Sequence, residues 1–432
     1  MNAELREIRR RIAAGFPETE PTDRFLYDRI DEELTEYGRK ARLSLQDKAL
    51  YRKQLYDSFR GMDILQPLLD DESVTEIMVN GTESIYIEKG REMLRWNRRF
   101  EEREPLDDVI QIMAASVNRI VNTSSPIADL RLEDGSRVSI VLPPAAPFGP
   151  VMTIRKFSRD PLTMEKLIRL EMLTRDAAGF LACAVRCGCN IFVSGGTGSG
   201  KTTFLNALSE FIPEDERVIT IEDSLELQLL GLPNLVRMET RNANLEGENE
   251  ITIRDLIRTA LRMRPNRIIV GEIRGAEALD MLQAMNTGHR GSLSTGHANS
   301  SKDMLSRMET MALMGGELPL FAIRSQIASA IDLIVHLGRL KDRKRRVLSV
   351  DEITGLDQGE IRCENILVYK KESGLGFSGR QPQNVEKWRE IFSARPRFDE
   401  NGAFRLEEDA PGSSGGGETK TDPPYAVAAG SV

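Results

Sequence analysis

Ten consecutive residues near the middle of the chain have the composition of an anion-binding loop. Residues 194–203 read SGGTGSGKTT, and an apolar run lies on each side of them. A loop with so few bulky side chains can turn its backbone N–H groups toward one point, and such a ring of donors binds an anion. The lysine and the hydroxyl groups of the same loop suit a nucleotide phosphate.

The same residues match the pattern G-x-x-x-x-G-K-[ST] of nucleotide-binding phosphate loops, from Gly195 to Thr202. The context that this pattern requires is present, because a predicted buried strand, NIFV, precedes the loop and a predicted helix, FLNAL, follows it. Lys201 is expected to neutralise charge between the β and γ oxygens, and Thr202 to offer its hydroxyl to Mg²⁺. We therefore expect ATP and Mg²⁺ as ligands, with the nucleotide bound by Gly195, Gly196, Thr197, Gly198, Ser199, Gly200, Lys201, Thr202 and Thr203.

Two further apolar runs end in acidic residues. VITI leads into Glu222 and Asp223, and IIV leads into Gly271 and Glu272. In a doubly wound sheet the carboxyl ends of the strands form the ligand site, so these acids are expected beside the phosphate loop. Gly271 occupies the place where such ATPases usually have an Asp that holds the metal shell. We expect Glu272 to orient or deprotonate the attacking water, and Glu222 or Asp223 to contact the water shell of Mg²⁺. The plainer alternative for a single acid is a helix N-cap or a surface charge.

Histidine is rare in this chain, and two of the three histidines lie in one segment. GHRGSLSTGHANS contains His289 and His297 among several hydroxyl side chains. This grouping predicts an element that senses a phosphate or relays its loss. His336 falls in an apolar run and is expected to be structural.

Arginine side chains could supply the positive charge that phosphoryl transfer requires, often from a neighbouring subunit or domain. Arg131 and Arg137 fall on predicted strands of the first half of the chain, and Arg155 on the strand that enters the second half. We expect these three to reach a nucleotide held between domains. Surface ion pairs are the alternative for each arginine taken alone.

The elements that must position these residues follow from hydrophobic periodicity. Residues 1–60 predict a helical leader whose apolar stripe packs on the protein itself, with docking on a partner as the alternative. Its second helical group is capped at Ser44 and ended by Gly61. Residues 61–160 predict a small α+β domain, with tight turns at Asn80-Gly81 and Asp134-Gly135. A helix in that domain is marked by Val109, Met113, Val117 and Ile120.

Residues 161–385 alternate short apolar runs with helical stripes, which predicts an α/β domain with a mostly parallel sheet. The basic run at 341–346 is expected to be a solvated hairpin turn. Residues 386–432 are assigned to a C-terminal tail, disordered from about residue 409 because glycine, serine, proline and other small residues predominate there.

The composition of the 432 residues is that of a soluble globular protein of two or more domains. No apolar run approaches the ~18 residues of a membrane span, and the charged first residues argue against a secretory signal. A cytoplasmic protein is therefore expected. The net charge of −8 does not favour a nucleic-acid partner. Zinc is not expected either, because the four cysteines lack the spacing of paired zinc knuckles.

Four segments together resemble the motifs of one family. GGTGSGKTT, RVITIEDSLEL, RMRPNRIIVGEIRG and GHRGSLSTGHANS resemble the phosphate loop, Asp box, atypical second acidic motif and His box of the type II/type IV secretion ATPases. SSPIADLRLEDGSRVSI and TIRKF resemble the CpaF/TadA branch, which drives the assembly of tight-adherence pili. The resemblance covers about residues 61–360, and the chain lacks the paired CxxC insertion found in many type II secretion ATPases.

The resemblance implies a homohexameric ring with nucleotide bound between an N-terminal domain and a RecA-like P-loop ATPase domain. It also implies a motor that works on an inner-membrane platform protein from the inner face of the cytoplasmic membrane. Two other functions stay open. A RecA-like nucleic-acid translocase or conjugal-transfer ATPase would require a basic groove with stacking aromatic residues, and a small-molecule phosphotransferase would require an acceptor site and a lid.

Overall fold

The computed structural model describes residues 3–16, 22–41, 43–90, 92–157, 162–241, 243 and 248–408. The chain divides into two compact units, Met1–Arg159 and Asp160–Val432. Within the described ranges, no helix is both long enough and apolar enough to cross a membrane. The predicted disorder from about residue 409 falls outside the described residues.

The first unit begins with helices that bury their apolar stripes against one another, as the periodicity predicts. Leu5, Ile12, Leu26 and Leu55 are completely or almost completely buried in a shared core. Ser44 caps the third helix by accepting a hydrogen bond from the N–H of Asp47. The helices of this segment are α1 (Ala3–Ala14), α2 (Asp23–Ala41), α3 (Leu45–Arg60), a short 3₁₀ turn (Asp63–Leu65) and α4 (Gln66–Asp70).

The rest of the first unit is a six-stranded antiparallel sheet with one helix packed on it. The order of the strands is β3-β2-β1-β6-β5-β4. They are β1 (Val74–Asn80), β2 (Ser84–Lys89), β3 (Glu92–Arg95), β4 (Ile127–Arg131), β5 (Arg137–Val141) and β6 (Val151–Arg155). Helix α5 (Arg103–Ser116) buries Val109 and Met113 as predicted, but it ends before Ile120, which is 73% exposed. The predicted stripe therefore overran the helix by one turn.

The second unit is built around a nine-stranded sheet in the order β15-β14-β13-β12-β7-β11-β10-β8-β9. Six neighbouring strands, from β12 to β9, run parallel, and three antiparallel strands extend one edge. The strands are β7 (Ile191–Gly195), β8 (Val218–Glu222), β9 (Leu235–Glu239), β10 (Arg267–Val270), β11 (Leu293–Gly296), β12 (Leu333–Arg339), β13 (Arg345–Asp357), β14 (Glu360–Lys370) and β15 (Gly374–Phe377).

Helices cover both faces of this sheet, which is why its central strands are apolar without alternation. On β7, Ile191 and Val193 join the core on one face, while Phe192 joins the core on the other. The helices are α6 (Met164–Arg169), α7 (Arg175–Arg186), α8 (Lys201–Ser209), α9 (Ile253–Ala260), α10 (Glu277–Asn286), α11 (Ser301–Gly315) and α12 (Leu320–Ala330).

The segment assigned to a tail is folded as far as Glu408. It forms helix α13 (Glu386–Phe392) and a hairpin of β16 (Ala394–Phe398) and β17 (Phe404–Glu408). Trp388, Phe398 and Phe404 cluster around Phe180 of α7, with ring centroids 5.3–5.6 Å from it. Burial of these aromatic rings accounts for an ordered element that the sequence analysis did not predict.

Candidate active site

The phosphate loop leaves the sheet between a buried strand and a helix, as its motif requires. β7 ends at Gly195 and α8 begins at Lys201. The backbone at Gly195 has φ +157°, and a Cβ there would lie 2.6 Å from the carbonyl oxygen of Leu337 on β12. Only glycine fits this close approach, because the opposing atom belongs to a neighbouring strand. Gly198 and Gly200 also have positive φ, so the loop takes the left-handed turns that form a concave donor ring.

Lys201 lies across the loop and is satisfied by the loop itself. Its Nζ donates to the carbonyl oxygens of Gly195 and Gly196, at 3.1 and 3.2 Å. Nζ also lies 3.3 Å from Nδ1 of His297. Burial lowers the pKa of the ammonium, while the nearby Glu272 carboxylate raises it. The lysine can therefore exchange two weak carbonyl acceptors for the charged oxygens of a phosphate.

Glu272 lies close to this lysine, and its two carboxylate oxygens contact His297 and Arg274. His297 Nε2 is 2.8 Å from Glu272 Oε1, in a contact that is not aligned as a hydrogen bond. The other carboxylate oxygen accepts a hydrogen bond of 2.7 Å from Nη2 of Arg274. Burial and the positive charge of Lys201 lower the pKa of His297. A neutral His297 thus joins the loop lysine to the strand-end glutamate.

Glu222 and Gly271 form a second close contact at the ends of β8 and β10. Glu222 is buried, and its Oε1 accepts hydrogen bonds from the N–H groups of Glu226 and Leu227, both at 2.8 Å. Its Oε2 has no hydrogen-bond partner among the described residues. A Cβ on Gly271 would lie 3.0 Å from Cγ of Glu222. The glycine that replaces the usual acid therefore makes room for the Glu222 side chain.

Burial raises the pKa of Glu222, and the two backbone N–H donors partly offset this effect. Asp223, the next residue, is half-exposed and lies 3.7 Å from Arg274 Nη1. Arg274 thus reaches acids that follow two neighbouring strands. Arg274 is not among the residues predicted from the sequence, because the pairing of β10 with β8 is needed to see this contact.

These residues fit Mg²⁺ held mainly through water and phosphate, which is the usual arrangement for that ion. Within the described residues, no group of three or more His, Cys, Asp or Glu side chains could hold a metal ion by itself. The oxygen atoms that could contact Mg²⁺ or its water shell are the Thr202 hydroxyl at the start of α8 and Oε2 of Glu222, which has no partner among the described residues. The four cysteines are free thiols.

His289 does not lie at this site. It precedes β11, whereas His297 follows that strand, so the two residues lie beyond opposite ends of β11. Its Nδ1 is 3.2 Å from the carbonyl oxygen of Ala284 near the end of α10. The assignment of His289 to the active site is corrected on this ground. His336 is buried on β12 and contacts Ser194 Oγ at 3.2 Å, as expected of a structural histidine.

The hairpin between β12 and β13 also reaches the phosphate loop. Arg345 Nε donates to the carbonyl oxygen of Gly198 at 2.8 Å. The sequence analysis predicted the turn itself but not this contact. The basic run at 341–346 was the only sequence signal for a contact between this turn and the loop. The pairing of Leu337 with Gly195, which carries the hairpin past the loop, could not be deduced from the sequence.

The three arginines predicted in the first half of the chain form one row across the sheet of the first unit. Arg131 pairs with Arg137, and Arg137 pairs with Arg155, in direct register across β4, β5 and β6. Like charges directly opposite one another destabilise a sheet. Glu76 on β1 continues the row, with an oxygen 3.8 Å from Arg155 Nε.

Comparison with known proteins gives a consistent result along most of the chain. The sequence profile of the family described as type II/IV secretion system protein matches residues 59–375. A putative conjugal transfer protein of Mycobacterium tuberculosis (strain ATCC 25618 / H37Rv) is 35% identical over 327 residues, covering 74% of this chain and 92% of that protein. The type IV secretion system protein VirB11 of Brucella suis biovar 1 is 34% identical over 318 residues, covering 67% of this chain and 88% of that protein.

A solved structure supports the fold. The X-ray structure of the Yersinia pseudotuberculosis ATPase DotB matches with a TM-score of 0.50 and 16% identity, covering 67% of this chain and 76% of that chain. The predicted fold class is confirmed: an α/β, RecA-like P-loop ATPase domain with a mostly parallel sheet, preceded by a smaller α+β domain and a helical leader.

Proposed function

Since this chain belongs to the type II/IV secretion system protein family, we propose that it is a Mg²⁺-dependent ATP hydrolase that powers pilus assembly or protein secretion. The observation that carries the proposal is the contact of both Lys201 and Glu272 with His297 at the edge of the phosphate loop. Hydrolysis of a bound triphosphate requires a cation that binds the phosphates and a carboxylate that positions the attacking water. Lys201 and Glu272 are such a pair, and their shared contact with His297 places them side by side.

The roles of the residues follow from these contacts. When bound, Mg²⁺ would neutralise charge on the β and γ oxygens, held by Thr202 and, through water, by Glu222 or Asp223. Lys201 moves from the carbonyl oxygens of Gly195 and Gly196 to the phosphate oxygens. Glu272 orients the attacking water and accepts its proton. Neutral His297 contacts both Lys201 and Glu272. When nucleotide displaces Lys201, the contact between His297 and the catalytic carboxylate therefore changes as well.

The finer proposal is a homohexameric motor of the CpaF/TadA branch. It is supported by the SSPIADLRLEDGSRVSI and TIRKF segments, which include Arg131, Arg137 and Arg155. In this proposal the arginine row supplies positive charge to the nucleotide of a neighbouring subunit. The motor works at the inner face of the cytoplasmic membrane on a platform protein of the pilus or secretion complex.

One observation favours a second candidate, a conjugal-transfer ATPase that acts on nucleic acid: the similarity to the mycobacterial protein whose name refers to conjugal transfer. The net charge of −8 does not favour it. The two candidates differ in their response to single-stranded DNA.

Phosphate release by the full chain, measured with ATP and with or without Mg²⁺ and single-stranded DNA, tests both candidates. We expect hydrolysis that requires Mg²⁺ and does not respond to DNA, together with a six-subunit mass in light scattering. Strong, salt-sensitive stimulation by DNA would favour the second candidate. Absence of ATP binding by the assembled protein would overturn both.

A further inference from the structure

The hairpin that joins β12 to β13 lies against the phosphate loop. In the sheet, β12 is on one side of β7, whereas β10 and β8, which carry the acidic residues, are on the other side. β12 lies next to β7 and continues beyond it, because Leu337 pairs with Gly195, the last residue of β7. The chain then turns through residues 340–344 and returns as β13. The first residue of β13, Arg345, therefore comes back beside the loop that β7 leads into.

Two neighbours of Arg345 fix the hairpin in this place. Lys344 Nζ donates to Glu171 Oε2 at 2.8 Å, and Arg346 Nη1 donates to the carbonyl oxygen of Glu171 at 2.6 Å. The N–H of Val347 donates to the carbonyl oxygen of Met172 at 2.8 Å. The backbone on both sides of Arg345 is thus tied to the turn between α6 and α7.

Arg345 itself lies against the phosphate loop. Its Nε donates to the carbonyl oxygen of Gly198 at 2.8 Å. Its Cδ is 3.4 Å from the position that a Cβ on Gly200 would occupy. The guanidinium is therefore placed against the outer side of the peptide that joins Gly198 to Ser199.

A cation on a peptide carbonyl polarises the whole peptide unit and strengthens its N–H as a donor. The N–H concerned belongs to Ser199, which in this structure donates a hydrogen bond of 3.3 Å to the carbonyl oxygen of Gly196. In a phosphate loop such N–H groups are the donors to the anion. Arg345 also adds a positive charge beside the loop.

We propose that Arg345 is a positioning residue for the nucleotide phosphates, acting through the Gly198–Ser199 peptide. This inference rests on the proposed function, because it concerns the same loop. It assigns to the β12–β13 hairpin a role in nucleotide affinity, separate from the hydrolytic role of Glu272.

The test compares three variants of the full chain by titration with ADP in the presence of Mg²⁺. Arg345→Gln removes the charge, and Arg345→Lys keeps the charge but not the geometry of the guanidinium. Arg343→Gln is the matched control, because Arg343 lies in the same turn and its side chain is exposed. Thermal unfolding without nucleotide is measured for each variant.

We expect Arg345→Gln to weaken ADP binding about tenfold and to raise the KM for ATP similarly, with kcat within about twofold. Arg345→Lys should recover most of the affinity, and Arg343→Gln should stay within about twofold of the wild type. Equal affinities of Arg345→Gln and Arg343→Gln would overturn the inference. So would an Arg345→Lys variant as weak as Arg345→Gln with an equally lowered unfolding temperature, since that result indicates a structural role only.

The two proposals fail in different ways. A wild-type protein that does not bind ADP contradicts the proposed function, and this inference with it. A wild-type protein that binds ADP, with an unchanged Arg345→Gln variant, contradicts this inference alone.

Discussion

Glu272 and Lys201 contact the same histidine, yet their substitution should have different consequences. Glu272→Gln keeps the shape of the side chain and removes the proton acceptor, so ATP binding should persist while kcat falls by about 10²–10⁴-fold. Lys201→Ala removes the cation that holds the phosphates, so binding and turnover should fall together. Nucleotide titration combined with phosphate release measures both. Normal hydrolysis by Glu272→Gln would refute the role given to this carboxylate.

Burial of the Glu222 carboxyl group lowers the free energy of unfolding when the group is charged. Burial raises its pKa in the folded protein, so the folded state binds the proton more tightly than the unfolded state does. The stabilisation due to this proton is present below the unfolded pKa and is lost as pH rises through the folded pKa. The carboxylate form of Glu222 is the costly one in the folded protein, because it is buried and one of its oxygens has no hydrogen-bond partner among the described residues.

We expect Glu222→Gln to stabilise the nucleotide-free protein at pH 7.5 by about 1 kcal/mol, because the amide keeps the size of the side chain and removes the charge that burial disfavours. The gain should shrink as pH falls toward about 4.5, where the wild-type carboxyl is increasingly protonated. Thermal midpoints at both pH values measure the effect, expected at about 1–2 °C for a chain of 432 residues. Glu214→Gln, at an exposed glutamate, is the control. A destabilised Glu222→Gln protein at pH 7.5 would contradict this account.

Among individual residues, those near the carboxyl ends of the parallel strands could be predicted from the sequence. Lys201 ends the loop that follows β7, and Glu272 and His297 lie within two residues of the ends of β10 and β11. Their convergence could therefore be deduced from the motif and the fold class. Arg274 and Arg345 could not be assigned in this way. Their contacts depend on which strands are neighbours and on how far one strand continues past another, and neither property is written in local periodicity.

At the scale of elements, the phosphate loop depends on a tight contact between β7 and β12. A Cβ on Gly195 would lie 2.6 Å from both the Leu337 carbonyl oxygen and Ser199 Oγ. Gly195→Ala must push β12 or the loop aside, at a cost of about 1–3 kcal/mol. We expect a lower thermal midpoint without nucleotide and a loss of ADP binding.

Gly196→Ala is the matched control for this contact, because nothing lies within 4 Å of a Cβ at Gly196. Its thermal midpoint without nucleotide should equal that of the wild type. Equal midpoints for both variants would show that the strand contact at Gly195 does not constrain the loop.

The elements themselves were predicted unevenly. Short apolar runs between helical stripes indicated the parallel strands around β7, since strands buried on both faces lack alternation. The ordered segment from α13 to β17 was missed, because its few aromatic residues become a core only when they meet Phe180 on α7. Contacts between residues far apart in sequence leave no local pattern from which they could be predicted.

At the scale of the whole molecule, the proposed action of the arginine row on a nucleotide can be tested at one residue. Arg137 is the middle member of the row, paired with Arg131 and Arg155. If it acts as an arginine finger, Arg137→Ala should lower kcat by about 10³-fold or more while nucleotide binding stays within a few-fold of the wild type. In a ring with head-to-tail contacts, a row on one subunit can serve the phosphate loop of its neighbour.

Mixed rings distinguish action on the neighbour from action within one subunit. Arg137→Ala subunits keep an intact phosphate loop, and Lys201→Ala subunits keep an intact arginine row. If the row acts on the neighbour, random co-assembly of equal amounts restores a complete site at about a quarter of the interfaces, so the mixture should hydrolyse ATP although each variant alone does not. Mixing Arg137→Ala with the double variant Arg137→Ala/Lys201→Ala is the control, because no interface then has both parts. Activity no higher in the first mixture than in this control, with exchange of subunits verified by mass, would show that the row does not act between subunits.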